Sequence, residues 1–169
     1  MAKQLNIVGG KELAEFLKTL PAKLERNVMR GALRAGAKVI ADEAKANVPT
    51  RMGALKKSIR VSSKLKKGEV TASAKAGNKK VFYAGWVEFG TAPHKIVASK
   101  MFLRFIAKDG NVVKTKSVNH TGAVSKPFMR PALDTKAAQS IQEAGRYIKQ
   151  RMTKEGLDAP DITVSEQEE

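Results

Sequence analysis

The sequence predicts an α+β fold: a long amphipathic N-terminal helix, an antiparallel sheet meander with an inserted hairpin, and a long C-terminal helix packing back on the sheet. Two observations carry this. Residues 22–47 and 131–154 place apolar side chains at helical spacing. Between them lie short apolar runs cut by Gly, Asn and Lys clusters, which is how strands and tight turns alternate.

A short helix is expected first, over residues 11–20, where Leu13, Phe16, Leu17 and Leu20 share a face. Pro21 stops it or opens the next. In the long helix over 22–47, Leu24, Val28, Ala32, Ala35 and Val39 form one ridge, and Leu33, Ala37, Ile40 and Ala44 form the adjacent one. At about 100° per residue, Lys23, Arg26, Arg30, Arg34, Lys38 and Lys45 gather on the opposite side, with few acids among them. That stripe is either a solvated face or a contact for a polyanion or acidic partner.

Pro49 ends the helix, because the residue before proline avoids the helical region. A loop follows, with a short helical turn over 54–57. Three strands are then expected: 58–63, 69–76 and 81–89. The first two alternate, with Ile59 and Val61, then Val70, Ala72 and Ala74, on one face. The third is apolar on both parities, which predicts a strand covered on both sides. Lys66-Lys67-Gly68 and Gly77-Asn78-Lys79-Lys80 supply the turns. Residues 91–100 read as loop, 101–107 and 112–116 as a hairpin turning at Asp109-Gly110-Asn111, and 117–130 as loop. Pro131 suits the first turn of the last helix, with Leu133, Ala137, Ile141, Ala144, Ile148 and Met152 on one face and Gly156 beyond its end. Residues 1–155 read as a single domain. Residues 156–169 form a tail without periodicity, expected to be disordered unless something ties it down.

The chain has 169 residues and a net charge of +16. Residues 1–155 carry +21, and the tail carries −5 with no base. Such a body attracts nucleic acid, an anionic surface or an acidic partner. No 18-residue apolar run exists to span a membrane. The first residues lack an apolar signal segment, which predicts a protein made and kept in a cytoplasm. With no Cys, disulfides, thiolate zinc sites and thiol nucleophiles are excluded.

Other chemistry is equally sparse. The two histidines, His94 and His120, fall in expected loops without ligand spacing. A shared metal would need a carboxylate such as Glu88 or Asp109, and surface or interface histidines are the simpler reading. No nucleophile–base element and no paired carboxylates stand out. Gly9-Gly10-Lys11 has the wrong spacing for a phosphate loop and reads as a turn before a helix. No catalytic, cofactor or metal residue is expected. Aromatic residues make up 5% of the chain, too few for a base-stacking platform. Any DNA contact would be to phosphate, non-specific and salt-sensitive.

Three segments resemble a known pattern when taken in order. Pro49-Thr50-Arg51-Met52-Gly53-Ala54-Leu55-Lys56-Lys57-Ser58-Ile59 is similar to "P-x-R-T-G-x-L-x-x-S-I", with Met52 for the usual Thr. Tyr83-Ala84-Gly85-Trp86-Val87-Glu88-Phe89-Gly90-Thr91 resembles "Y-A-x-x-V-E-F-G-T". Lys126-Pro127-Phe128-Met129-Arg130-Pro131-Ala132-Leu133 resembles "x-P-F-L-R-P-A-L" before a terminal helix. The order, behind an amphipathic helix, is similar to the neck or tail-completion proteins of tailed bacteriophages. Against compact members, residues 92–125 are an inserted loop and hairpin.

The resemblance implies a structural virion protein at the head–tail junction, in a ring of six or twelve copies around the DNA channel. It implies neck, head-completion and tail proteins as partners, no activity, no cofactor and no membrane. The motifs also make sense physically. Pro49 and Gly53 bracket a change from helix to sheet, Leu55 and Ile59 anchor the first strand, and Phe128 is an apolar anchor between Pro127 and Pro131. Gly90 suits a bend after Phe89. Glu88 is either an exposed edge carboxylate or half of a salt bridge across a subunit interface, to Arg51 or Arg130. The alternative function is a basic protein that binds double-stranded DNA non-specifically through the helix stripe.

Overall fold

The computed structural model describes residues 4–49, 51–66, 68–99, 101–107 and 109–167. The order is β1 (Gln4–Val8), α1 (Gly10–Thr19), α2 (Ala22–Asn47), α3 (Gly53–Ser58), β2 (Arg60–Lys66), β3 (Glu69–Lys75), α4 (Ala84–Phe89), β4 (His94–Val97), β5 (Leu103–Ile106), β6 (Val112–Thr115), β7 (Ser117–His120), α5 (Met129–Lys154) and β8 (Thr163–Gln167). The class is α+β, as expected. The chain divides into two compact units: residues 1–82 with 127–169, and residues 83–126.

The first unit is built on α2 and α5. Gly31 of α2 faces Tyr147, Gly36 faces Ser140, and Glu43 pairs with Lys136 at 3.9 Å, so the helices run antiparallel. A Cβ on Gly36 would lie 2.7 Å from the Ser140 carbonyl oxygen, so glycine there lets the two backbones approach closely. The β2–β3 hairpin packs on α2. The C-terminal helix packs back as expected, chiefly on α2 and also on β8. The small residues along α2 are the reason: they offer a second helix a close-fitting face.

The core of this unit joins α1 (Leu13, Leu17), Leu20, α2 (Val28, Ala32), α5 (Ile148, Met152) and Ala159. Ala159 belongs to the segment expected to be disordered. That expectation is corrected: Ile162 packs against the core, and β8 pairs antiparallel with β1, Ile7 opposite Val164. Lys149 also pairs with Asp161. The strap is held by its own chain, so its order needs no assembly. Its pairing partner lies at the opposite end of the sequence, where no local pattern announces it.

The meander is shorter than expected. β2 and β3 form a two-stranded sheet in register Arg60↔Lys75 through Lys66↔Glu69. The turn at Gly68 has a positive φ of 85°, while Lys67 lies outside the described residues. The expected third strand over 81–89 is instead a turn leading into helix α4. Val81, Ala84 and Glu88 are buried while Phe82, Trp86 and Phe89 are exposed, a division that follows helical rather than alternate spacing. An apolar run on both parities is the signature of a covered strand and of a short helix alike.

The second unit consists of α4 and two hairpins. β5–β6 forms the expected one, and Asp109 accepts hydrogen bonds from the backbone N–H of Asn111 at 3.1 Å and its side-chain amide at 3.0 Å. β4 and β7 pair antiparallel within the two stretches expected to be loop. Neither strand shows the apolar alternation that would reveal it.

Candidate functional site

The basic stripe lies on the outside of α2. Lys23, Arg26, Arg30, Arg34 and Lys38 are exposed. Lys45 is only half exposed and is paired with Asp42 at 2.9 Å. Arg26 turns back, its Nε donating to the Ala22 carbonyl at 2.8 Å. Arg34 and Lys38 rim an open groove of about 300 Å³ whose walls include Ala35, Val61 and Tyr147. The stripe is not wholly uncompensated. Glu143 on α5 is held below the usual carboxylate range, first by its hydrogen bonds from Arg146 and then by the Arg146 and Lys38 charges. The charged residues that line the groove, Arg34 and Lys38, are both exposed.

The first and third motif segments are structural parts of the same unit. Pro49 follows the end of α2, and Thr50 lies outside the described residues. Arg51 is exposed in a turn. Gly53 opens α3, and a Cβ there would meet open space. Leu55 is wholly buried. Buried Ser58 donates its hydroxyl to the Leu55 carbonyl at 2.7 Å and accepts the Gly77 N–H at 2.9 Å. Arg60 spans the same gap, donating to the carbonyls of Ser58 at 3.2 Å and Gly77 at 2.5 Å. These bonds seal α3 to the end of β3. Phe128 is buried at the start of α5, while Pro127 and Arg130 are exposed and Pro131 is half-buried in the first turn.

The second motif segment belongs largely to α4. Half-buried Tyr83 caps its start. Phe89 is 78% exposed, and Glu88 is 9% exposed. Glu88 is thus on the buried side of a helix, not an exposed edge carboxylate of a strand. Gly90 follows with φ 74°, and a Cβ there would lie 2.6 Å from the Ala123 carbonyl oxygen. Only glycine permits this approach. Thr91 then bridges Ala123, donating its N–H at 2.9 Å and accepting at 3.1 Å. Gly90-Thr91 is the clasp that closes the second unit.

His94 and His120 are not loop residues. They are direct cross-strand partners in β4 and β7, with ring centroids 5.0 Å apart. Each is oriented by backbone: His94 Nδ1 lies 2.9 Å from the Ala92 carbonyl oxygen, and His120 Nδ1 accepts the Gly122 N–H at 3.0 Å. Among the described residues, no three His, Asp or Glu side chains are grouped to hold a metal. No helix among them is long and apolar enough to cross a membrane.

Sequence reasoning missed the most unusual surface. Met101 is 74% exposed and Ile106 is 73% exposed, with Ile96, Val97, Phe102 and Val112 also open to solvent. Met101, Phe102, Ile106 and Val112 are legible as hairpin, whereas Ile96 and Val97 read as loop; the exposure of all six is not legible.

Residues 11–90, from α1 through α4, match the family model described as "Bacteriophage HK97-gp10, putative tail-component". No curated protein and no solved structure matches the chain. The match contains the first motif segment, the second as far as Gly90, and the helix that precedes them. Residues 11–90 are thus similar to the HK97-gp10-like family of bacteriophage tail components.

Proposed function

We propose that this tail component is a structural virion protein of the phage neck, assembling as a ring of six or twelve copies at the head–tail junction, around the DNA channel, to join or complete the tail. The family match over α1–α4 carries the reading. The chain's division of labour supports it: one unit has a well-filled core, and the other presents apolar surface. Ring contacts are head-to-tail, and a rotation that closes makes a ring. Residues 92–125 serve here as an insertion that reaches neighbouring subunits or other neck, head-completion and tail proteins. The protein is made in the host cytoplasm and ends in the particle. Its role is structural and needs no cofactor.

The experiment is electron cryomicroscopy of particles from wild-type and deletion strains. The expected result is a ring at the neck in wild-type particles and, without the gene, heads and tails that fail to join or tails left incomplete. Normal, infectious particles without the protein would overturn the reading.

A second reading, non-specific binding of double-stranded DNA, has one observation in its favour: five exposed cations along α2. If all five meet phosphate, log K falls with log salt with a slope of roughly −4.5. Tight binding to one sequence would contradict it. If Arg30→Glu with Arg34→Glu leaves particle assembly and DNA delivery intact, the stripe is only a solvated face.

A further inference from the structure

The β5–β6 hairpin sets two cations opposite each other beside an apolar pair. Its register sets Arg104 opposite Lys114 and Ile106 opposite Val112. Residues two apart share a face of a strand, so these two pairs lie side by side on one face. All four side chains are exposed. Like charges directly opposite each other destabilise a strand pair; β2–β3 also sets Arg60 opposite Lys75, but there Arg60 donates to the Ser58 and Gly77 carbonyls. The neighbouring pair exposes an isoleucine and a valine. The face therefore combines two uncancelled cations with an apolar step, inside a unit of seven basic and two acidic residues.

The same chain carries the complementary surface. Residues 155–169 hold six acids and no base. Just past α5, exposed Leu157 stands between exposed Glu155 and Asp158. Glu155 is already paired with Arg151 at 2.9 Å, but an exposed pair of this kind is worth little and is readily exchanged. Leu157 is followed by a segment anchored through Ala159 and Ile162, so the patch is presented on a fixed base.

We infer that the outer face of the β5–β6 hairpin docks on the Glu155–Asp158 patch of a second copy of this chain. Arg104 and Lys114 meet Glu155 and Asp158, while Ile106 and Val112 cover Leu157. The two surfaces differ, so the contact is head-to-tail, the kind that propagates into a ring. This deepens the ring reading above and rests on it.

The test is sedimentation velocity on the purified full-length chain at about 100 µM, where even a small specific interface is populated. Wild type should self-associate, and high salt should weaken it, because exposed charges are screened. Arg104→Glu with Lys114→Glu keeps a like-charged cross-strand pair, so the hairpin's internal balance is little changed, yet association should fall roughly 10-fold or more. Adding Glu155→Lys with Asp158→Lys should restore it. Ile106→Ser should weaken association at every salt concentration. Unchanged melting curves would show that each variant folds. A monomeric wild type, association untouched by the first charge exchange, or no recovery from the second exchange would each overturn the contact. Association that survives the exchanges, with a ring still visible in particles, would sink this contact and leave ring assembly standing.

Discussion

Residues 1–82 with 127–169 and residues 83–126 solve the same problem in opposite ways. Among the described residues, sixteen of seventeen buried apolar residues lie in the first unit and only Ala84 in the second. Of sixteen exposed large apolar side chains, ten lie in the second unit, which has about a quarter of the chain. The first unit hides its apolar surface between two antiparallel helices, a hairpin and a strap made from both chain ends. The second unit, at 44 residues, is only just above the size of about 40 residues below which domains usually need disulfides, metals or partners. It has no cysteine. What the contrast teaches is that buried core and exposed apolar surface are divided between different parts of one chain. Exposed apolar side chains at this density are the kind of surface that partner contacts cover.

The contrast can be broken by mutation. Phe128→Ala or Met152→Ala removes a fully buried side chain from the first unit and should cost about 3–5 kcal/mol in urea unfolding. Truncation after Glu155 removes the strap, uncovering the side of the core that Ala159 and Ile162 cover. It should cost about 2 kcal/mol, by the same measurement. Ile106→Ser with Val112→Ser changes two apolar residues of the second unit, both exposed, and should move stability by less than about 0.5 kcal/mol. A large loss in the last pair would mean that the hairpins carry the fold, and the division of labour would be wrong.

Legibility in the sequence followed the range of the interactions. α2 and α5 were readable because Val28, Ala32, Ile148 and Met152 recur at helical spacing. The β5–β6 turn was readable because Asp109-Gly110-Asn111 closes it locally. The strands β1, β4, β7 and β8 were not, because each is specified by a partner far along the chain. Trp86 and Phe89 were misassigned to a strand because six residues are too few to separate the two periodicities. For the candidate site, the exposed stripe from Lys23 to Lys38 was legible, since charge on one helical face predicts exposure. The apolar surface of the second unit was not. Strand alternation says which residues share a face, not whether that face is covered.

Hydrogen exchange, read on the free chain and again on the chain within its particle, tests the central claim most directly. Amides of α2 and α5 should be strongly protected in both, since a buried core exchanges only through global opening. Amides of residues 94–120 should exchange quickly in the free chain and become protected in the particle. Equal exchange of 94–120 in both states would contradict the assignment of the second unit to assembly.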